Sequence, residues 1–155
     1  MTTRDLVEEL EKQHIDYEVV SHERTEHAAD EAAAIGVPKR EVGKTLILKS
    51  HRGYVRAVVP ASERIDLHSV RERLDDRELR LATEEELGTA YAGFELGAVP
   101  PFGGPAGDRI LVDRRIAELD HVTFEAGTHR ESLKVRAADL VALTKADVLD
   151  LCSEQ

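Results

Sequence analysis

The 155 residues carry 21 basic and 31 acidic side chains, a formal net charge of −10, and 41% hydrophobic residues. A chain of this size and composition can bury one substantial core. Its balance is too negative for a protein that coats nucleic acid indiscriminately, and no apolar run approaches the ~20 residues of a membrane span. The start, Met1-Thr2-Thr3-Arg4-Asp5, lacks a signal-peptide apolar core, and the lone Cys152 excludes an intramolecular disulfide, so a cytoplasmic location with no membrane partner is expected.

Leu6, Val7 and Leu10 form one apolar stripe and predict a helix over residues 3–14. Residues 17–20 read as a short strand. Thr25 can cap a helix over 28–35, which Gly36 and Pro38 stop. Residues 42–50 and 54–61 predict two strands joined by His51-Arg52-Gly53, an antiparallel hairpin. Asp66 can cap a helix over 67–74, residues 78–82 are β-like, and Thr83-Glu84-Glu85-Glu86 is a capping box opening another helix. Glycine or proline fills seven of the eleven positions 97–107, which excludes regular helix or central strand there. Residues 109–113 predict a strand, 114–119 a short helix, 122–126 and 132–136 two strands around a glycine turn, and 138–151 a helical region broken near Thr144. The pattern is a mixed α/β (α+β) fold with a largely antiparallel sheet, in a single domain over 1–155.

Lys44 is the most telling residue. Strand side chains alternate faces, so it is in phase with Val42, Leu46 and Leu48. If that face looks inward, the ammonium needs a carbonyl, a carboxylate or an anionic ligand. Residues 39–56 hold six basic side chains (Lys39, Arg40, Lys44, Lys49, Arg52, Arg56) against Glu41 alone. That is either a solvated hairpin or an electropositive rim for an anionic substrate. Gly43-Lys44-Thr45 is not a P-loop, because Pro38 stands where its first glycine is needed and a strand follows where a helix belongs. The seven histidines form no metal-ligand cluster, so neither a metal nor a cofactor is expected. Segment 97–107 is either a surface connection or a loop whose N–H groups hold a phosphate or a developing oxyanion, with Phe102 as its anchor. Gly127, Thr128, His129 and Ser132 sit at a turn, where they form a hairpin connection or offer hydrogen bonds at a strand end; no Ser-His-Asp triad is indicated.

Taken in order, three segments resemble the YbaK and prolyl-tRNA synthetase-associated editing-domain family. They are Val42-Gly43-Lys44-Thr45-Leu46-Ile47-Leu48, Gly97-Ala98-Val99-Pro100-Pro101-Phe102-Gly103, and Ala126-Gly127-Thr128-His129 with Ser132-Leu133. The resemblance spans roughly residues 15–143. It implies a sheet partly closed like a barrel with helices around it, and hydrolysis of the ester of a mischarged aminoacyl-tRNA. The implied substrate is tRNAPro carrying a small amino acid, handled in trans because these residues contain no synthetase sequence. It implies catalytic roles for Lys44, Gly97 and Gly103. Substrate contacts would come from His22, Thr45, Ala98, Pro101, Phe102, Gly127, Thr128, His129 and Ser132. Lys44 would position substrate, and chemistry would rest on orientation and substrate hydroxyls rather than a protein nucleophile. The implied partners are the tRNA acceptor end and a synthetase that delivers tRNA to an acidic protein. The chain departs from the family at Ala98 (usually glycine), Pro100 (usually serine) and Thr128 (usually serine). The departures at Ala98 and Pro100 motivate an alternative, a non-catalytic module that binds an aminoacyl-adenosine or a nucleotide-like ligand.

Overall fold

The computed structural model describes residues 2–104 and 107–153; Pro105 and Ala106 of the glycine-proline segment lie outside the described residues. The chain opens with α1 (Thr3–Lys12), whose N-terminus is closed by a reciprocal capping box between Thr2 and Asp5. Leu6 and Leu10 are its buried stripe. Strand β1 (Tyr17–Ser21) leads to α2 (Ala28–Ile35), which ends at Gly36 with φ 73°, a left-handed conformation that glycine adopts without strain. A 3₁₀ turn (Lys39–Glu41) precedes the hairpin of β2 (Gly43–Ser50) and β3 (Gly53–Pro60). Then follow α3 (Leu67–Leu74), capped by Asp66, the two-residue β4 (Arg80–Leu81), and α4 (Glu84–Ala90), capped by Thr83 and Glu86. After the glycine-proline loop come β5 (Arg109–Asp113), α5 (Arg114–Ala117), β6 (His121–Thr128), β7 (Glu131–Arg136), α6 (Ala137–Thr144) and β8 (Asp147–Leu149).

The strands form two sheets, one ordered β1-β7-β6 and one β4-β2-β3-β5-β8. The first is wholly antiparallel; in the second β3, β5 and β8 run parallel. Among the described residues a single parallel bridge, Val42 to Thr123, links the sheets, so barrel-like closure is partial. One core cluster, including Leu6, Phe124, Leu133 and Leu140, packs α1 and α6 against the first sheet. A second, including Leu48, Val59, Val70 and Leu151, lies between the hairpin and α3. No helix among the described residues is long and apolar enough to cross a membrane.

Two local expectations fail, each for a tertiary reason. Thr25 does not cap α2; His27 stands at that position with no side-chain cap. The Thr25 N–H instead donates to the His129 carbonyl and the His22 N–H to that of Arg130, so this stretch is committed to the β6–β7 turn. The predicted break near Thr144 is where α6 ends, with Lys145 left-handed, but no helix resumes after it. Residues 147–149 become β8 because the open edge of β5 offers a parallel partner, and the following Leu151 is buried in the second core.

Candidate active site

A cavity of about 270 Å³ opens between α2, the start of β2, the loop after α4, and β6; Glu31, Lys44, Thr45, Gly97, Val99 and Glu125 are among its walls. Gly43 sets the position of Lys44. A Cβ on Gly43 would lie 3.0 Å from Val58 Cγ1 and 3.2 Å from Val122 Cγ2, so only glycine lets β2 start this close to the core. Lys44 follows, half-buried, on the face whose Leu46 and Leu48 pack in the second core. Burial lowers its pKa, and among the described residues the ammonium forms no ion pair. Gly43-Lys44-Thr45 lies inside a strand, as the rejection of a P-loop requires.

The opposite wall is a loop held from below by Arg56. This buried side chain of β3 donates to the carbonyl oxygens of Pro100 (2.8 Å) and Gly103 (2.6 Å) and to Asp108 Oδ2 (3.0 Å). The same Oδ2 accepts from the Tyr91 hydroxyl at 2.5 Å. Desolvation, then this hydrogen bond to Asp108, pushes the phenol pKa upward. The loop is also stitched to the β6–β7 turn: Glu95 N–H donates to the Gly127 carbonyl (2.9 Å) and Gly127 N–H to that of Ala98 (3.0 Å). The N–H groups of Gly97 and Val99 donate to no described residue. Two residues that line the cavity therefore have amides without a described acceptor.

Behind the lining lies a layer of buried polar groups. His129 Nε2 is 2.6 Å from the Leu96 carbonyl oxygen, and its ring supports Gly97 from beneath. Its Nδ1 is 2.8 Å from Glu125 Oε2, though neither atom has a well-aligned hydrogen bond. His22 Nδ1 lies 2.7 Å from the Glu23 carbonyl oxygen, and Nε2 lies 2.9 Å from Ser132 Oγ. The Ser132 hydroxyl donates to Glu31 Oε2, leaving Glu31 Oε1 without a partner. Burial raises the Glu31 pKa; burial and the charges of Glu31, Glu26 and Glu95 push Glu125 up to about 8.

Of the residues singled out from sequence, Lys44, Thr45 and Gly97 line this cavity. Ala98, His129 and Ser132 are buried and do not line it, His22 is half-buried against Ser132, and Gly127 with Thr128 borders a separate cleft beside Phe94. The Thr128 hydroxyl donates to Glu95 Oε1 at 3.3 Å. Pro101 is buried, Phe102 packs edge-on against Phe124, and Gly103 with Phe102 borders a separate cleft beside Leu6. Arg56 is turned inward and is no part of a basic rim. Glu31 and Glu125 were not anticipated. The one available signal was the i, i+4 spacing of Glu125 and His129.

Residues 22–143 match the aminoacyl-tRNA editing domain. The chain is 26% identical over 137 residues to a proline–tRNA ligase of Fervidobacterium nodosum, covering 82% of this chain and 24% of the ligase. It is 31% identical over 133 residues to a proline–tRNA ligase of Thermosipho africanus, covering 79% and 23% respectively. The chain thus spans about a quarter of the length of these curated relatives. The crystal structure of a candidate trans-editing enzyme for prolyl tRNA synthetase superposes with a TM-score of 0.87 at 28% identity, over 98% of this chain and 97% of that one.

Proposed function

Because the chain belongs to the aminoacyl-tRNA editing domain family, we propose that it hydrolyses the ester of a mischarged tRNA in trans, with tRNAPro bearing a small amino acid as substrate. The observation that carries this reading is one cavity that combines Lys44 with the uncommitted N–H groups of Gly97 and Val99. Similarity along nearly the whole of a candidate trans-editing enzyme supports action in trans. A synthetase gains only ~1–3 kcal/mol per methylene when it rejects a small apolar side chain, so a second, hydrolytic sieve is useful.

In this reading water adds to the ester carbonyl carbon, and the carbonyl oxygen becomes an oxyanion. The Gly97 and Val99 N–H groups donate to it, held in place by the Arg56 clamp before substrate arrives. The tetrahedral intermediate collapses as the bond between the acyl carbon and the ribose oxygen breaks; that oxygen takes up the proton lost by the water, giving the free amino acid and the ribose hydroxyl. Lys44, a compact cation at the rim, holds the terminal phosphate or the carbonyl end. Gly103 contributes through the clamp, since its carbonyl is one of the two loop oxygens that Arg56 binds. The exposed Lys39 and Arg40, just before β2, supply positive charge for the acceptor end. A synthetase partner in the cytoplasm would deliver the rest of the tRNA.

The test is release of amino acid from tRNAPro charged in turn with alanine, cysteine and serine. Release that disappears in Lys44→Ala is expected. Saturable binding of an aminoacyl-adenosine mimic, with no release above Lys44→Ala on any charged tRNA, would replace catalysis with a binding module.

A further inference from the structure

The cavity walls carry charges of both signs. Burial is the main influence on the Lys44 ammonium, and Arg64 and Glu63 are the charged side chains that act on it. Glu31 and Glu125 line the same cavity. Glu31 is fully buried, and its Oε1 has no hydrogen-bond partner. The Glu125 side chain is nine-tenths buried, and its Oε2 faces only a poorly aligned ring nitrogen. Buried carboxylate oxygens without donors are costly, and two carboxyls in one cavity repel when both ionise. A small cation with several N–H donors would relieve both costs.

We propose that Glu31 and Glu125 form the subsite for the primary α-ammonium of the aminoacyl ester, whose carbonyl end lies towards Gly97 and Lys44. The proposal rests on the deacylase reading of this cavity and deepens it by naming the substrate class. Esters with a free α-amino group are accepted, and N-acylated esters, including peptidyl esters, are refused. An ammonium offers three donors with a full charge, whereas an acylated nitrogen offers one N–H and none. Burial disfavours ionisation of both carboxyls, and an arriving cation would favour their ionised forms. A divalent metal is a poorer occupant: no group of three or more metal-ligating side chains occurs among the described residues.

The test uses the full chain and 3′-deoxy-3′-(L-alanylamino)adenosine, whose amide replaces the ester, beside its N-acetyl form. Calorimetric titration should show the free amine binding roughly tenfold to a hundredfold more tightly, the range expected for charge-assisted hydrogen bonds. Glu31→Gln and Glu125→Gln, both isosteric, should each bring that ratio towards one while circular dichroism stays unchanged. Equal binding of the two probes, a ratio unaltered in both variants, or no binding of either would overturn the subsite. Charged tRNA separates this outcome from that of the parent reading. A Glu31-dependent preference for the amine without tRNA hydrolysis removes the reaction and keeps the subsite. Equal hydrolysis of free and N-acetylated aminoacyl-tRNA removes the subsite and keeps the reaction.

Discussion

Glu125 Oε2 lies 2.8 Å from His129 Nδ1, while the other nitrogen of that ring, Nε2, lies 2.6 Å from the Leu96 carbonyl oxygen. A carbonyl only accepts, so Nε2 carries a proton. In a neutral ring Nδ1 then presents a lone pair to the carboxyl group. Two acceptors at that distance repel, and the repulsion is strongest when the carboxyl is ionised. The geometry therefore acts in the same direction as the burial that raises the Glu125 pKa.

This predicts a pH dependence of stability with a definite sign. Burial, with Glu31, Glu26 and Glu95 nearby, raises the Glu125 pKa from 4.5 to about 8. Between those values the folded state binds more protons than the unfolded one. The stability contributed by Glu125 is thus fully present below 4.5 and lost as pH rises through about 8. Glu125→Gln cannot ionise and should flatten the profile. Urea midpoints of both proteins at about pH 5 and about pH 9 measure this. Parallel profiles would exclude the assignment.

Lys44 should trade stability for function. Its ammonium is half-buried, desolvation lowers its pKa more than the charge of Glu63 raises it, and it forms no ion pair among the described residues. Lys44→Met keeps the stem and removes the charge, so the melting temperature should hold or rise. Deacylation should fall by roughly 10²–10³, the usual cost of deleting one electrostatic contact to a reacting group. A variant that melts earlier and keeps full activity would make Lys44 a structural residue.

What was legible in the sequence was mostly local. The end of α2 follows from Gly36, the β2–β3 hairpin from its glycine-bearing turn (although the connection is only His51-Arg52, with Gly53 already paired to Ser50), and α4 from its capping box, because each signal acts within a few residues. Thr25 and residues 147–149 misled because their local preference lost to pairing with distant strands. The site divided the same way. Lys44 and Gly97 stand out through strand phase and loop composition. Glu31 lies in an alanine-rich helix and Glu125 in a strand of ordinary alternation, and they become a pair only when α2 and β6 meet across the cavity.

The glycines of the site should differ in tolerance. Gly97 and Gly127 both have positive φ, 83° and 86°. A Cβ on Gly97 meets the His129 ring at 3.6 Å, an ordinary contact, whereas on Gly127 it would sit 2.6 Å from Phe94 Cδ1. Gly97→Ala should therefore cost about 1–2 kcal/mol of left-handed strain alone. Gly127→Ala adds overpacking of about 1–3 kcal/mol. Chemical denaturation of the two variants should rank Gly127→Ala as the less stable; the reverse order would contradict this geometry.

Arg56 provides the strongest test of how the loop is held. Its planar fork reaches Pro100, Gly103 and Asp108 together, and its guanidinium carbon lies 5.1 Å from the centre of the Tyr91 ring. Lysine cannot make three bonds in those directions. Removing one partner of a buried ion pair strands the other, so Arg56→Met should cost about 3–5 kcal/mol. Arg56→Met with Asp108→Asn should recover part of that loss, since no buried charge is left alone. Activity should stay low in the double variant, because neither methionine nor asparagine donates to the Pro100 and Gly103 carbonyls and the Gly97 and Val99 amides lose their support. Urea unfolding of both single variants and the double variant gives the coupling energy. Recovered stability together with recovered activity would show that the loop keeps its shape without the clamp.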